Sequence, residues 1–561
     1  MNLSSSALEI LKARYLRPNE TPEDMFRRVA KAVSLAELYY SSPSIAEEWE
    51  EKFYKVMVNL EFLPNSPTLM NAGTELGQLA ACFVLPVEDS IEGIFDTVSL
   101  MAKIQKTGGG TGFSFSSLRP KGDKVKSTNG VASGPVSFMR VFDCVTDSIK
   151  QGGKRRGANM GVLSVYHLDI EEFITCKRDK SSFLNFNISV ACSDEFFEKV
   201  ERDESLDLIN PRDGKVWRKV KAKDLLRLIA ESAWDCGDPG ILYIDEINRH
   251  NPTPSLGRIE ATNPCGEVPL LPYEECNLGS INLSRVVKDG KVDWEKLSYL
   301  VEVGIRFLDN VIDVNVYPDL RIEKMAKGNR KIGLGIMGWA EFLIRLGIPY
   351  DSERALLMAE KVMSFINKKA FETSVKLARE RGSFPNVDKS IYRGKPIRNA
   401  TRTSIAPTGT ISMIAGTTPS IEPLFAVAYE KKVLDNKKVV YVEPLFMEYA
   451  KNLSEAEIER ILEEGTVKNI DNLPEEVRRI FVTALEIPPE WHIKMQATFQ
   501  KYVDNAVSKT INLPEDITVE EIEKIFIMGF KEKLKGITVF RQGSKQGVIE
   551  FGVKRKVKCY C

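Results

Sequence analysis

Histidine is nearly absent from this 561-residue chain: only His167, His250 and His492 occur. No two of them stand at H-x-x-H or H-E-x-x-H spacing, so a histidine-rich zinc or di-iron centre is not expected and no metal site is read. Nine cysteines are too few and too scattered for a disulfide scaffold in a chain this long. Net charge is absent too, with 78 Lys and Arg against 78 Asp and Glu. That balance gives no support for a basic nucleic-acid surface or a polybasic membrane patch but leaves room for a local phosphate pocket. Long apolar runs are missing: the one uncharged stretch of bilayer-crossing length, residues 403–421, is mostly Thr, Ser, Gly and Pro. The first twenty residues hold no apolar core with a small-residue cleavage site. A cytoplasmic protein without membrane or nucleic-acid partners is the expectation. Its difficult chemistry must come from cysteines, carboxylates or a bound cofactor.

What is present divides the chain by texture. Phe26, Val29, Val33 and Ala36 recur at helix spacing, and Thr21-Pro22-x-Asp24 ahead of them reads as a capping box with Asp in place of Glu. Residues 1–62 are therefore expected as a small helical N-terminal region. From Pro64 on, short apolar runs at 81–87, 113–115, 162–165 and 188–190 alternate with helical stretches at 91–106, 135–149, 222–236, 294–312, 352–381, 454–464 and 520–531. Strands alternating with helices and glycine-rich loops make an α/β pattern, a barrel or large mixed sheet, spanning 63–540. Residues 541–561 read as a basic tail ending in Cys559-Tyr560-Cys561.

The most informative segment is Asn263-Pro264-Cys265-Gly266-Glu267. If extended, it turns an amide, a thiol and a carboxylate to one side. A group that orients, a sulfur that reacts and a base that accepts a proton suit chemistry at a sugar with vicinal hydroxyls. The same five residues also fit a loop with one incidental cysteine, and spacing alone does not decide. The run Pro407-Thr408-Gly409-Thr410-Ile411-Ser412 leads a turn into a helix, which offers backbone N–H groups and hydroxyls to an anion. Lys154, Arg155 and Arg156 form a local basic cluster. Gly108-Gly109-Gly110-Thr111-Gly112 has the look of a nucleotide loop but lacks the G-K-[ST] ending of a P-loop.

In order along the chain, Pro64–Gly73, Ala81-Cys82-Phe83, Asn263–Glu267, Cys276-Asn277-Leu278 and Ala406–Ser412 resemble the large chains of ribonucleotide reductases. The segments 151–159, 331–339 and 502–513 resemble the adenosylcobalamin-dependent (class II) branch, and the likeness runs from about residue 60 to 540. The resemblance implies a ten-stranded α/β barrel in which Cys265 carries a thiyl radical, Glu267 accepts the 3'-hydroxyl proton and Asn263 holds the sugar. It implies that Cys82 and Cys276, on the opposite face of the sugar, supply two electrons by closing to a disulfide. Ser66, Thr68, Ala81 and the Pro407–Ser412 run are implied to hold the ribonucleotide, with a diphosphate as the expected substrate. Lys154, Arg155 and Arg156, with Asp147 toward the ribose, are implied to serve deoxynucleotide or ATP specificity effectors across a homodimer interface. Cys559 and Cys561 are implied to pass electrons from a thioredoxin-like or other thiol reductant, a metal-binding end being the alternative. Cys144, Cys176, Cys192 and Cys236 are left as structural thiols.

The branch follows from the radical source. Where the oxygen-dependent class has two adjacent tyrosines, this chain has Thr538-Val539-Phe540-Arg541, and a phenylalanine has no phenolic proton to lose. Gly547 and Gly552 lack the thiol setting of a glycyl-radical site. The resemblance then implies adenosylcobalamin as the radical source, and the missing D-x-H-x-x-G signature is expected if the cofactor binds without a protein histidine. An ATP-binding activity module is not expected ahead of the core. The alternatives are a class I-type catalytic subunit served by a metallo-subunit, a non-enzymatic nucleotide-binding regulator of this fold, and a pyruvate-lyase-like glycyl-radical enzyme.

Overall fold

Thr21 accepts a hydrogen bond from the Asp24 amide while the Asp24 carboxylate accepts from the Thr21 backbone, so the helix Pro22–Ser34 begins with the capping box read from the sequence. The computed structural model describes residues 3–125, 130–149, 157–432, 438–544 and 549–550. Three helices, Ser5–Arg14, Pro22–Ser34 and Pro43–Val58, lead the chain. Their apolar faces (Phe26, Val29, Val33, Trp49, Phe53) close on the helix Trp294–Val314 in one core, with the Phe53 and Phe307 rings edge to face at 5.1 Å.

A buried ionic network ties this helical region to the rest. Glu37 lies between Arg306 at 2.8 Å and Arg381 at 2.6 Å, and Asp309 between Arg330, Arg381 and Arg398 at 2.9, 3.0 and 3.3 Å. The Tyr40 hydroxyl donates to Asp313 and accepts from Arg398. Burial alone would raise Glu37 and Asp309; the guanidiniums facing them hold both below the ordinary carboxylate range.

Ten strands follow: β1 (Phe62–Pro64), β2 (Cys82–Pro86), β3 (Gly110–Ser114), β4 (Asn159–Ser164), β5 (Phe186–Cys192), β6 (Gly240–Tyr243), β7 (Glu275–Asn282), β8 (Ile332–Met337), β9 (Thr510–Leu513) and β10 (Gly536–Arg541). Their hydrogen-bonded order is β1-β7-β2-β3-β4-β5-β6-β10-β9, with β8 also paired to β7. Strands β2 to β6 run parallel; β7 is antiparallel to β2, and β10 to β6. Residues 401–405 bridge the remaining gap, Leu334 of β8 pairing with Thr403 and Ile405 with Val507 just ahead of β9. The result is a barrel of two antiparallel halves. Period-two alternation sorts the side chains: Cys82, Val84, Met160, Val162, Leu242, Cys276 and Leu278 line the interior, while Phe83, Leu85, Leu163, Val190 and Ile241 face the helices outside.

The helices expected at 91–106 and 222–236 form with those bounds, and those expected at 352–381 and 454–464 begin one residue later because Ser352 and Ser454 serve as N-caps. Among the described residues, no helix is long and apolar enough to cross a membrane.

Candidate active site: three thiols and a carboxylate inside the barrel

The interior is filled by the loop that carries Cys265. It is held between two-residue strands, Ala261–Thr262 and Pro269–Leu270. Between them the chain is a turn rather than extended: the Gly266 amide donates to the Asn263 carbonyl at 3.1 Å, and Gly266 has φ of +82°. The expectation that Asn263, Cys265 and Glu267 share one face by alternation is therefore corrected. A glycine able to take the left-handed region reverses the chain. Asn263 and Glu267 become buried, at 2 % exposure each, and the Cys265 thiol is left exposed at the tip.

The loop reaches this depth because the strand beside it has no side chain in the way. A Cβ on Gly112 of β3 would come within 1.7 Å of the Thr262 carbonyl oxygen. Gly110 and Gly112 of the run 108–112 thus make room for the Cys265 loop, a Cβ on Gly110 also meeting Pro264 at 2.8 Å. The loop is pinned elsewhere as well. Asn187 of β5 donates to the Pro264 carbonyl at 2.9 Å, and the Glu267 carbonyl accepts from the Ser404 hydroxyl and the Ala506 amide, both at 2.9 Å. Both halves of the barrel therefore grip it.

Cys82 and Cys276 stand directly opposite each other where β2 and β7 pair antiparallel. Opposed residues in such a ladder have Cα atoms about 4.5–5.5 Å apart, inside the roughly 4.4–6.8 Å window that a disulfide needs. Asn263 donates from Nδ2 to the Cys82 sulfur at 3.2 Å while its Oδ1 accepts from the Val268 amide at 2.9 Å, so the amide is oriented from both ends. Burial pushes the Cys82 thiol well up, charge on Glu267, Cys276 and Cys265 pushes the same way, and the Asn263 hydrogen bond opposes them. Cys276 is likewise pushed well up, by burial first and then by Glu275, with Lys331 opposing. Both thiols rest protonated, the state that a hydrogen donor requires.

The anion segment follows the bridging run 401–405. Thr408, at φ +53°, precedes the short helix Gly409–Ala415, and its hydroxyl accepts from the Ser420 amide at 2.7 Å. Pro407, Gly409 and Thr410 are half-buried; Ile411 and Ser412 are buried, with the Ser412 hydroxyl turned to the Gly409 carbonyl. A Cβ on Gly409 would meet nothing within 4 Å. Ser66 is half-buried, and its hydroxyl bonds that of Tyr15 at 2.7 Å. Thr68, expected as a donor to a ligand, is fully buried, and its hydroxyl donates to the Leu79 carbonyl. Ala81 links the segment to the thiols, its amide donating to the Cys276 carbonyl at 3.3 Å.

Asp147 is exposed near the end of the helix Pro135–Ser148. Lys154, Arg155, Arg156, Cys559 and Cys561 lie outside the described residues. Of the remaining thiols, Cys192 and Cys236 are buried, as structural cysteines are, and Cys176 is half-buried, but Cys144 is exposed on the outer side of its helix. Tyr15 and Asn65, which the sequence did not single out, also reach this region. Asn65 donates to the Leu79 carbonyl and accepts from the Leu278 amide, both at 2.8 Å, so it ties the run ahead of β2 to β7.

All three histidines are engaged: His167 with the Leu118 carbonyl and the Asp169 amide, His250 with Glu246, and buried His492 with the Ala484 carbonyl. Among the described residues, no group of three or more His, Cys, Asp and Glu is arranged to hold a metal ion.

Residues 1–77 match the family described as ribonucleotide reductase, all-alpha domain, and residues 80–396 and 391–540 match ribonucleotide reductase, barrel domain. The chain is 49% identical to a vitamin B12-dependent ribonucleoside-diphosphate reductase of Thermoplasma acidophilum, over 97% of this chain and 80% of that protein. It is also 49% identical to a protein of the same description from Mycobacterium tuberculosis, over 98% of this chain and 81% of that protein. Among solved structures, the Actinobacillus ureae class Id ribonucleotide reductase alpha subunit superposes with a TM-score of 0.81 at 24% identity, covering 96% of this chain and 97% of that one. At that identity the likeness speaks to the fold.

Proposed function

The chain belongs to the ribonucleotide reductase family, and from that premise we propose how its own residues carry out the vitamin B12-dependent reduction of ribonucleoside diphosphates to deoxyribonucleotides. The observation that carries the reading is the direct opposition of Cys82 and Cys276 beneath the loop that presents Cys265.

In this reading Cys265, as a thiyl radical, takes the 3'-hydrogen of the ribose, and Glu267 accepts the proton of the 3'-hydroxyl. The 2'-hydroxyl leaves as water on gaining a proton. Cys82 and Cys276 between them give that proton, the hydrogen that enters at C2' and two electrons in all, closing to a disulfide; Glu267 returns its proton to the 3'-oxygen, and Cys265 returns its hydrogen to C3'. Asn263, fixed by Val268, orients the hydroxyls. Ser66 and the first-turn amides at Gly409 and Thr410 hold the phosphates, while Thr68 and Asn65 keep the run to Ala81 in place.

The residues present fit adenosylcobalamin. The Cys265 thiol is exposed, and a Cβ on neighbouring Gly266 would meet nothing within 4 Å, so there is open space beside the thiol. Cys265 and Gly266 would face it. When bound, it supplies the radical that Cys265 uses. Phe540 on β10, in place of a redox-active phenol, agrees with a radical source that is not a second subunit.

The division at 1–62, 63–540 and 541–561, a homodimer, deoxynucleotide effectors near Asp147 and residues 154–156, thiol reduction through Cys559 and Cys561, and a cytoplasmic location belong to the same reading. The test is a thiol count. The pre-reduced chain, given adenosylcobalamin and substrate without external reductant, loses two thiols per product, and a peptide pair joined through Cys82 and Cys276 appears. Product from the Cys559→Ser/Cys561→Ser variant, whose tail cannot take the disulfide over by exchange, without that cross-link refutes the assignment.

A further inference from the structure

Tyr15 closes the first helix of the chain as its C-cap, far in sequence from every residue of the reaction. It is nevertheless buried at 3 % exposure, and its hydroxyl lies 2.7 Å from that of Ser66. The helix it closes, Ser5–Arg14, packs against the helix Gly409–Ala415, which in turn packs against β1, the strand that leads into Ser66. One N-terminal element thus touches both halves of the anion segment.

We propose that Tyr15 is a positioning residue for the substrate phosphates, acting through Ser66; this rests on the phosphate role proposed above for Ser66. A serine hydroxyl has one proton and can either accept or donate toward a ligand. A phosphate oxygen only accepts, so Ser66 is useful when its own proton is free to be given. Phenol is the more acidic of the two hydroxyls and donates to the serine oxygen, which leaves the Ser66 proton for the ligand. Donation into that oxygen also polarises the O–H bond that the phosphate receives. Neighbouring Asn65 fixes the backbone, through the Leu79 carbonyl and the Leu278 amide, so the hydroxyl is the freedom left for Tyr15 to set.

Tyr15→Phe keeps the ring and its packing and removes only the hydroxyl. Steady-state turnover with adenosylcobalamin and dithiothreitol is measured for the wild type, Tyr15→Phe, Ser66→Ala and the double variant. The expected result is a KM for the ribonucleoside diphosphate raised roughly five- to tenfold in Tyr15→Phe, with kcat within about twofold, the size of one lost hydrogen bond. The double variant matches Ser66→Ala alone, and competitive inhibition by the unphosphorylated ribonucleoside is unchanged in all four. A merely structural role would move nucleoside and diphosphate together. If Ser66→Ala raises KM and Tyr15→Phe does not, or if the two effects add, the positioning role is overturned while the phosphate site stands. If Ser66→Ala leaves KM unchanged, the phosphate role of Ser66 falls and the role of Tyr15 with it.

Discussion

Cys82 and Cys276 are cross-strand partners at the junction of β2 and β7, and the Asn263 amide donates to the sulfur of Cys82 at 3.2 Å. The register therefore sets the two cysteines at neighbouring backbone positions across the ladder, and Asn263 couples one of them to the loop that carries the third. Cys82→Ser or Cys276→Ser leaves no two-electron donor. Sustained turnover with dithiothreitol is expected to vanish in either variant, by product counted per chain over an hour, and continued turnover in either contradicts the pairing.

Glu267 presents a buried carboxylate while its carbonyl anchors the loop to Ser404 and Ala506. Glu267→Gln keeps that backbone anchor and removes the base. The fall in kcat is expected to be about 10²–10⁴-fold, with thermal unfolding little changed; a variant of near-normal kcat would remove Glu267 from proton transfer.

Gly409 starts the helix of the anion segment with open space where a side chain would project. Gly409→Ala is expected to fold normally and to raise the KM for diphosphate substrates, since a methyl group enters the space read as the phosphate cradle. Calorimetry beside steady-state kinetics checks both halves of that statement.

Glu275, next to Cys276 on the outward face of β7, is raised from 4.5 to about 8 by burial, with hydrogen bonds from Asn315 opposing. The folded chain thus holds a proton that the unfolded chain has already released between those values. Stability contributed by this group is full below about 4.5, declines as pH rises toward 8 and is level above it. Glu275→Gln abolishes the titration. Its unfolding temperature relative to the wild type is expected to climb between pH 5 and 8.5, by an amount on the order of a few kcal/mol of stability. A difference that stays constant with pH would mean that Glu275 does not carry this proton.

What was legible in the sequence is what local chemistry decides. Thr21, Pro22 and Asp24 specify a helix start within four residues, and the helix appears there. Cys82 and Cys276 were paired only through resemblance, because a ladder contact between distant segments leaves no local trace. Residues 401–405 and 505–508 close the barrel through isolated pairings whose partners lie far along the chain, and no periodicity marks them. The 263–267 segment was misread as extended since alternation ignores what Gly266 permits at positive φ. Gly112 was equally opaque: its reason is a carbonyl oxygen from a loop 150 residues later, visible only once the loop is packed beside it. The Tyr15–Ser66 bond spans two elements and has no signature at all.

Turnover of the purified chain under anaerobic conditions, with a ribonucleoside diphosphate, dithiothreitol and a deoxynucleotide effector, tests the central claim most directly when run with and without adenosylcobalamin. Deoxynucleotide formed only in its presence, with no second protein added, is the predicted result. Deoxynucleotide formed without it, or none formed until a metallo-subunit is supplied, would contradict the account.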